Sequence, residues 1–418
     1  MGKEIIPAGQ SISIVILFII GSSLFMGTSG ESGNSSWIAI ILAVLLAIPL
    51  MLIYARLHTL FPGKNLYDML IAVFGGFIGR MFSCLYIWYT LHLGSLVLRN
   101  YGEFSKTVAL TSTPMLAPML IVGLLCIWVV NAGLEVVGRS AKFLLLFTLA
   151  VIIVVQLLSI PKFEYQHMKP LLDSGWGPVM QDVAGSFTFP FAEIVVFLGA
   201  FTVLPRKGSA ARVLISGVII SGVIIIGVTV RNLLVLGPEI LSSLYFPAYV
   251  AVSRINVGDF LTRIEGSSAI IFITSLFIKV SLCLYVTCQG IARVFKLESY
   301  RSVVLQTGLI MVCMADFIYK DITQMQYFAY HIYKIYALPS RCLFRCCSGL
   351  QLRLWHTGPP AERRTYSDNY KRQMNSRSFP AGVFLSFPTV SEDRYNESHR
   401  KRPRRRLPER YVTKGGSL

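Results

Sequence analysis

Lys279 poses the sharpest chemical question in this chain. It sits in Phe277-Ile278-Lys279-Val280, near the middle of an apolar run over residues 267–289. Such a run is long enough to cross a bilayer, and an ammonium at that depth costs at least ~2.5–3.5 kcal/mol on insertion scales. A lysine so placed normally faces the interior of a helix bundle and has a partner there. The candidate partner is Glu193, in the run over residues 183–204. Both are expected to face a central cavity, where they can form a pair. Lys279 can also stand where a coupling sodium ion would otherwise sit. The plainer readings are a structural lysine bonded to backbone carbonyls and a glutamate near a water-filled mouth.

Two runs are interrupted. One reads Ile20-Gly21-Ser22-Ser23-Leu24, the other Ser186-Phe187-Thr188-Phe189-Pro190-Phe191-Ala192-Glu193. Gly, consecutive Ser and Pro are poor helix continuers. A broken helix in lipid leaves N–H and C=O groups that protein, water or ligand must satisfy. The breaks fall in the first and sixth runs, so corresponding positions of two five-span halves are interrupted, which is the pattern of an inverted-repeat transporter core. There, half-helix N-termini face a substrate carboxylate and unwound carbonyls take an ammonium or a cation. Gly21, Ser22, Ser23, Phe187, Thr188, Phe189, Pro190, Glu193 and Lys279 are therefore the expected ligand-binding residues. The ligand they suit is a zwitterionic amino acid or another small polar nutrient. Ordinary helix packing through small residues is the alternative for either break alone. Tyr86, Tyr89 and His92 are spaced three apart in the third run. They can line the cavity opposite, Tyr89 foremost, or serve as packing groups.

The elements that must carry these residues are apolar. Of 418 residues 54% are hydrophobic and 14% charged, against ~25% charged in a soluble domain. Ten spans are expected, at about 10–26, 37–56, 81–98, 114–130, 141–158, 183–204, 213–234, 267–289, 303–319 and 326–339, with an amphipathic segment over 66–77 before the third. The tenth is cut short at Pro339. The first run has no convincing cleavage site behind it and reads as a span rather than a signal peptide. Twelve basic residues fall on the side of the N-terminus and eight on the other, and the 30–36 loop has none while 205–207 has two, so the N-terminus is placed inside. The stretch 243–265 mixes apolar and polar residues at helical spacing and reads as a helical hairpin lid over the outer mouth, or as an interfacial packing loop.

Residues 1–339 thus form one transmembrane domain, and the composition changes at 340. Residues 341–418 hold 17 basic and 6 acidic residues, among them the run Arg400-Lys401-Arg402-Pro403-Arg404-Arg405-Arg406. A basic run can meet anionic lipid or nucleic acid, but low hydrophobicity with high charge favours a solvated, disordered tail and no nucleic-acid partner. The abruptness of the switch also fits a change of reading frame. Of eight cysteines, five lie singly in or beside apolar runs, and Cys342, Cys346 and Cys347 lack the His pair of a zinc site. No nucleotide loop, metal-ligand set or nucleophile–base arrangement stands out, so neither cofactor, metal nor enzyme activity is expected.

The Gly21-Ser22-Ser23 break, Pro190-Phe191-Ala192-Glu193, the stretch from Phe246-Pro247 to Ile255-Asn256-Val257-Gly258-Asp259-Phe260-Leu261, and Lys279-Val280-Ser281 together resemble the endospore germination permease family, the B subunits of nutrient germinant receptors. The resemblance covers residues 4–339. It implies an all-α polytopic fold of the LeuT-like five-plus-five type, within the amino acid–polyamine–organocation superfamily. It also implies residence in the inner membrane of bacterial spores, A and C subunits as partners, and nutrient sensing that triggers germination. A secondary amino-acid transporter coupled to protons or cations is the alternative, and a non-functional truncated product the third reading, since the chain departs from the family after Pro339.

Overall fold

A chain in hydrocarbon must satisfy its own backbone groups, and a helix does so within one segment. The computed structural model describes residues 6–27, 31–61, 63–203, 209–255 and 264–336, which fall in a unit spanning Met1–Leu354. The Asn256-to-Leu261 motif, the end of the tenth span at Pro339 and the basic tail lie outside the described residues. Among the described residues there are helices and no strands.

The helices are α1 (Ala8–Met26), α2 (Ser36–Leu60), α3 (Leu66–Phe74), α4 (Gly76–Phe104), α5 (Leu116–Ala132), α6 (Leu134–Ser159), α7 (Trp176–Thr188), α8 (Ser209–Leu236), α9 (Pro238–Ser243), α10 (Pro247–Ser253), α11 (Gly266–Val294), α12 (Val304–Phe317), α13 (Ile322–Tyr327) and α14 (Tyr333–Tyr336). Each expected span has a helix at its position. Seven helical segments are long and apolar enough to cross a membrane unaided. α5, at 17 residues, is shorter, and Tyr300–Phe317 with Ile322–Ile332 form a pair bent by 106°.

The centre of the bundle is α1 and α11. Every α1 residue from Ser13 to Met26 is buried, whereas only nine of the 26 residues of α6 are. A helix apolar on all sides is one enclosed by others, and α1 is enclosed by α6, α8 and α11. Small residues permit the closest approaches. A Cβ at Gly217 of α8 would collide with Val15 Cγ1 of α1.

Two elements differ from expectation. α4 runs to Phe104, six residues past its expected end, which draws Arg99 out of the loop where its charge was counted. Arg99 and Glu103, one turn apart, pair at 2.8 Å, and Arg99 Nη1 donates to Asp316 O at 2.6 Å, so a buried charge pair is absorbed into the helix. The second difference is α1 itself. It is an unbroken α-helix through Gly21, Ser22 and Ser23, so the expected interruption there is corrected. Ser23 Oγ donates to Ile19 O at 2.7 Å, a back-bond that keeps a serine inside a helix, and α1 ends only at Gly27, whose φ of +69° is one that glycine adopts without strain.

Candidate functional site

The sixth span is broken where Pro190 requires it. Proline has no N–H to donate and pushes the preceding residue out of the helical region. α7 stops at Thr188, Phe189 is extended (φ −128°, ψ 113°), and from Phe191 to Val203 the chain winds as a 3-10 helix, an unusually long run of that tighter form. Glu193 lies in its first turn and is fully buried.

Lys279 reaches this break from the middle of α11. Its Nζ is 2.6 Å from Glu193 Oε2, and both side chains are excluded from solvent. Tyr333, the first residue of α14, donates its hydroxyl to Glu193 Oε1 and lies 3.5 Å from the hydroxyl of Tyr89 on α4. Phe18 of α1 and Phe189 of the break flank the ammonium, with ring centroids 5.0 and 5.1 Å from Nζ. The carboxylate is thus held by one cation and one hydroxyl, and the cation by one carboxylate and two ring faces. Removing one member of a buried pair leaves a bare charge, at a cost of ~3–5 kcal/mol. Gly21 makes room for the arrangement, since a Cβ there would come 3.3 Å from Lys279 Cδ.

Of the expected residues, the structure therefore brings together Gly21, Tyr89, Phe189, Glu193 and Lys279, with Pro190 buried beside them. Ser22 is buried with an unpartnered Oγ, and Ser23 spends its hydroxyl inside α1. Thr188 donates to Ala184 O at 2.7 Å within α7, and Phe187 packs partly buried against the core. Of the third-span trio, Tyr89 reaches the charge cluster through Tyr333. Tyr86 is buried in the core, and His92 stacks on Trp88 and meets Tyr336 edge-on. Sequence reasoning missed Tyr333 and Phe18. Tyr333 carried a signal, being a tyrosine inside the short tenth span, while Phe18 is one apolar residue among many.

The two ends of the bundle are unlike. At one end Phe25 and Phe272 stack at 4.3 Å, and Phe104 meets both edge-on together with Phe246. The short α10 closes over this plug, its Pro247 lying against Gly27. At the other end a vestibule of about 1280 Å³ opens among the α2–α3 and α5–α6 turns and the end of α11. Its walls carry Lys64, Arg80, Arg139, Arg293, Lys296 and Arg301 against Asp68, Glu135 and Glu298, and Tyr285 and Gln289 line it on α11. The charge pair thus lies in a bundle with an aromatic plug at one end and a vestibule at the other, the layout of a permease.

That layout and the helical bundle define a multi-pass membrane protein of the permease class. Similar folds are found in a nucleobase-cation-symport-1 family transporter, Mhp1, with bromovinylhydantoin bound (TM-score 0.59, 12% identical, covering 78% of this chain and 75% of that one) and in MhsT in complex with L-phenylalanine (0.55, 14%, 81% and 88%). A Na+-coupled sialic acid symporter is a third (0.58, 15%, 79% of each). The fold is thus the LeuT-like five-plus-five repeat. The chain belongs to the spore germination permease family, whose model, described as spore germination protein, matches residues 5–325. Among relatives, spore germination protein KB of Bacillus subtilis (strain 168) is 27% identical over 312 residues, 74% of this chain and 84% of that protein. Spore germination protein YndE of the same strain is 25% identical over 297 residues, 70% and 81% respectively.

Proposed function

We propose that the chain is the nutrient-binding subunit of a spore germinant receptor, taking an amino-acid-like ligand at the Lys279–Glu193 pair and passing the signal to A and C subunits in the inner spore membrane, with its N-terminus cytoplasmic. The buried pair beside a single helix break carries this reading. A zwitterion has the charge pattern of the pair itself. Its carboxylate can take Lys279 and its ammonium Glu193, so one buried ion pair is exchanged for two and no charge is left bare. The N–H groups that open the 3-10 helix at Phe191 add a positive dipole end to the carboxylate side. Because Glu193 also holds Tyr333, parting the pair changes what tethers the last span to the core. Ligand then favours one of two helix arrangements by its differential affinity for them. The fixed cation of Lys279 stands in for a coupled sodium ion, which suits a sensor. The vestibule and opposing plug suit alternating access equally, so solute movement is the second reading.

Two measurements on wild-type protein in proteoliposomes test this. Equilibrium binding across the proteinogenic L-amino acids should find at least one ligand that Lys279→Met loses. Uptake of the same labelled amino acid should remain at the level of empty liposomes. Net uptake above that level assigns a transporter instead, and binding unaltered in Lys279→Met removes the site.

A further inference from the structure

A second buried cation lies away from this site. Arg231, near the C-terminal end of α8, is only 4% exposed, and its Nε and Nη1 have no hydrogen-bond partner. No acidic side chain pairs with it among the described residues. The other membrane-buried cations are differently placed, Lys279 being held by Glu193 and Arg99 by Glu103. A guanidinium withdrawn from water without a counter-charge is among the costliest groups a fold can carry, and such a residue in a membrane segment marks a site unless a partner compensates it.

Arg231 borders a small pocket of about 20 Å³ lined by α1, α6, α8, α10 and α11. Most of its wall is apolar, including Phe25, Ala248 and Val252. Its other polar residues are Gln156 of α6 and Ser268 of α11. Gln156 Oε1 is also buried without a partner. The two ends of an amide are distinguished by their bonding alone, so turning this one presents an N–H where Oε1 stands. Guanidinium, amide and hydroxyl then offer donors from three helices and no carboxylate. The volume exceeds the ~10–15 Å³ that one water-sized particle needs, and falls far short of an amino acid or a phosphate.

We propose that this cavity binds a single compact monovalent anion of halide size, with Arg231 as its counter-charge and Gln156 and Ser268 as donors. The bound anion thus ties α6, α8 and α11 together, and Ala248 and Val252 of α10 pack over it beside the aromatic plug. The inference is independent of the germinant reading, since it needs neither the nutrient nor the partner subunits.

Thermal unfolding of the purified full chain in detergent tests it, with sodium chloride or bromide exchanged for sodium gluconate at constant ionic strength. Wild type should gain about 3–5 °C in Tm at roughly a hundredfold excess over Kd, saturably, with both halides and not with gluconate. Arg231→Gln should lose the halide dependence and, freed of a bare charge, be at least as stable as wild type in gluconate. Ala248→Leu, which fills the cavity from α10 and leaves Arg231 in place, should also lose it, so the test stands even where Arg231→Gln does not fold. Identical Tm values for wild type in halide and gluconate overturn the proposal. So does a halide shift that persists in Ala248→Leu, because the anion would then sit elsewhere.

Discussion

The first and sixth spans carry the two sequence interruptions, and they fold differently. At Gly21-Ser22-Ser23 the helix continues, while at Phe189-Pro190 it breaks. Glycine and serine weaken a helix by propensity, an amount that burial among neighbouring helices overrides. Proline removes a donor and forbids the conformation before it, which packing cannot restore. The consequence is a division of labour. The broken span supplies Glu193 and Phe189 to the charge cluster, and the unbroken one supplies Phe18 and the space at Gly21 through which Lys279 crosses.

The largest effect should come from the broken side. Lys279→Met or Glu193→Gln alone should destabilise the protein by ~3–5 kcal/mol, and the double variant should recover most of that loss, as read by a double-mutant cycle of unfolding in detergent. Equal destabilisation in the double variant would show that the pair is no closed unit. Tyr333→Phe removes one hydrogen bond to a charged group and should cost ~1.5–3 kcal/mol by the same assay. A neutral outcome would detach the last span from the cluster.

The unbroken side should respond weakly and with the opposite sign. Ser22→Ala removes a buried unpartnered hydroxyl from a continuous helix and should stabilise by ~1 kcal/mol. Should Ser22 contact ligand, nutrient affinity would fall while stability rises. Gly21→Ala gains helix propensity and crowds the flexible Lys279 stem, so the net change should stay within ~0.5 kcal/mol of wild type. A loss above ~1 kcal/mol would show that the backbone at Gly21 leaves helical geometry, and the two spans would be alike after all.

Much of the bundle is legible in the sequence because lipid imposes a length and a composition on each span. The break at Pro190 is legible because its cause is local. The continuity of α1 is not, since it is decided by the helices that enclose it. The pairing of Lys279 with Glu193 follows from the rule that intramembrane charges seek partners, whereas the contribution of Tyr333 depends on a span that comes home to the core only in three dimensions. Arg99 and Glu103 illustrate the converse. Their i, i+4 spacing is a helix signal, but counting Arg99 as a loop charge obscures the true end of α4. The plug of Phe25, Phe104, Phe246 and Phe272 unites four distant segments, and no local pattern marks those rings apart from other apolar residues.

The proposed role of the Lys279–Glu193 pair is to read the nutrient. Its most direct test is germination of spores whose only copy of this subunit is the Lys279→Met/Glu193→Gln double variant, which leaves no bare charge and so separates function from folding. With the variant present in the membrane at wild-type level, germination in response to a nutrient that the wild type detects should be abolished. A response retained at wild-type nutrient concentration would contradict the claim and move the binding site elsewhere.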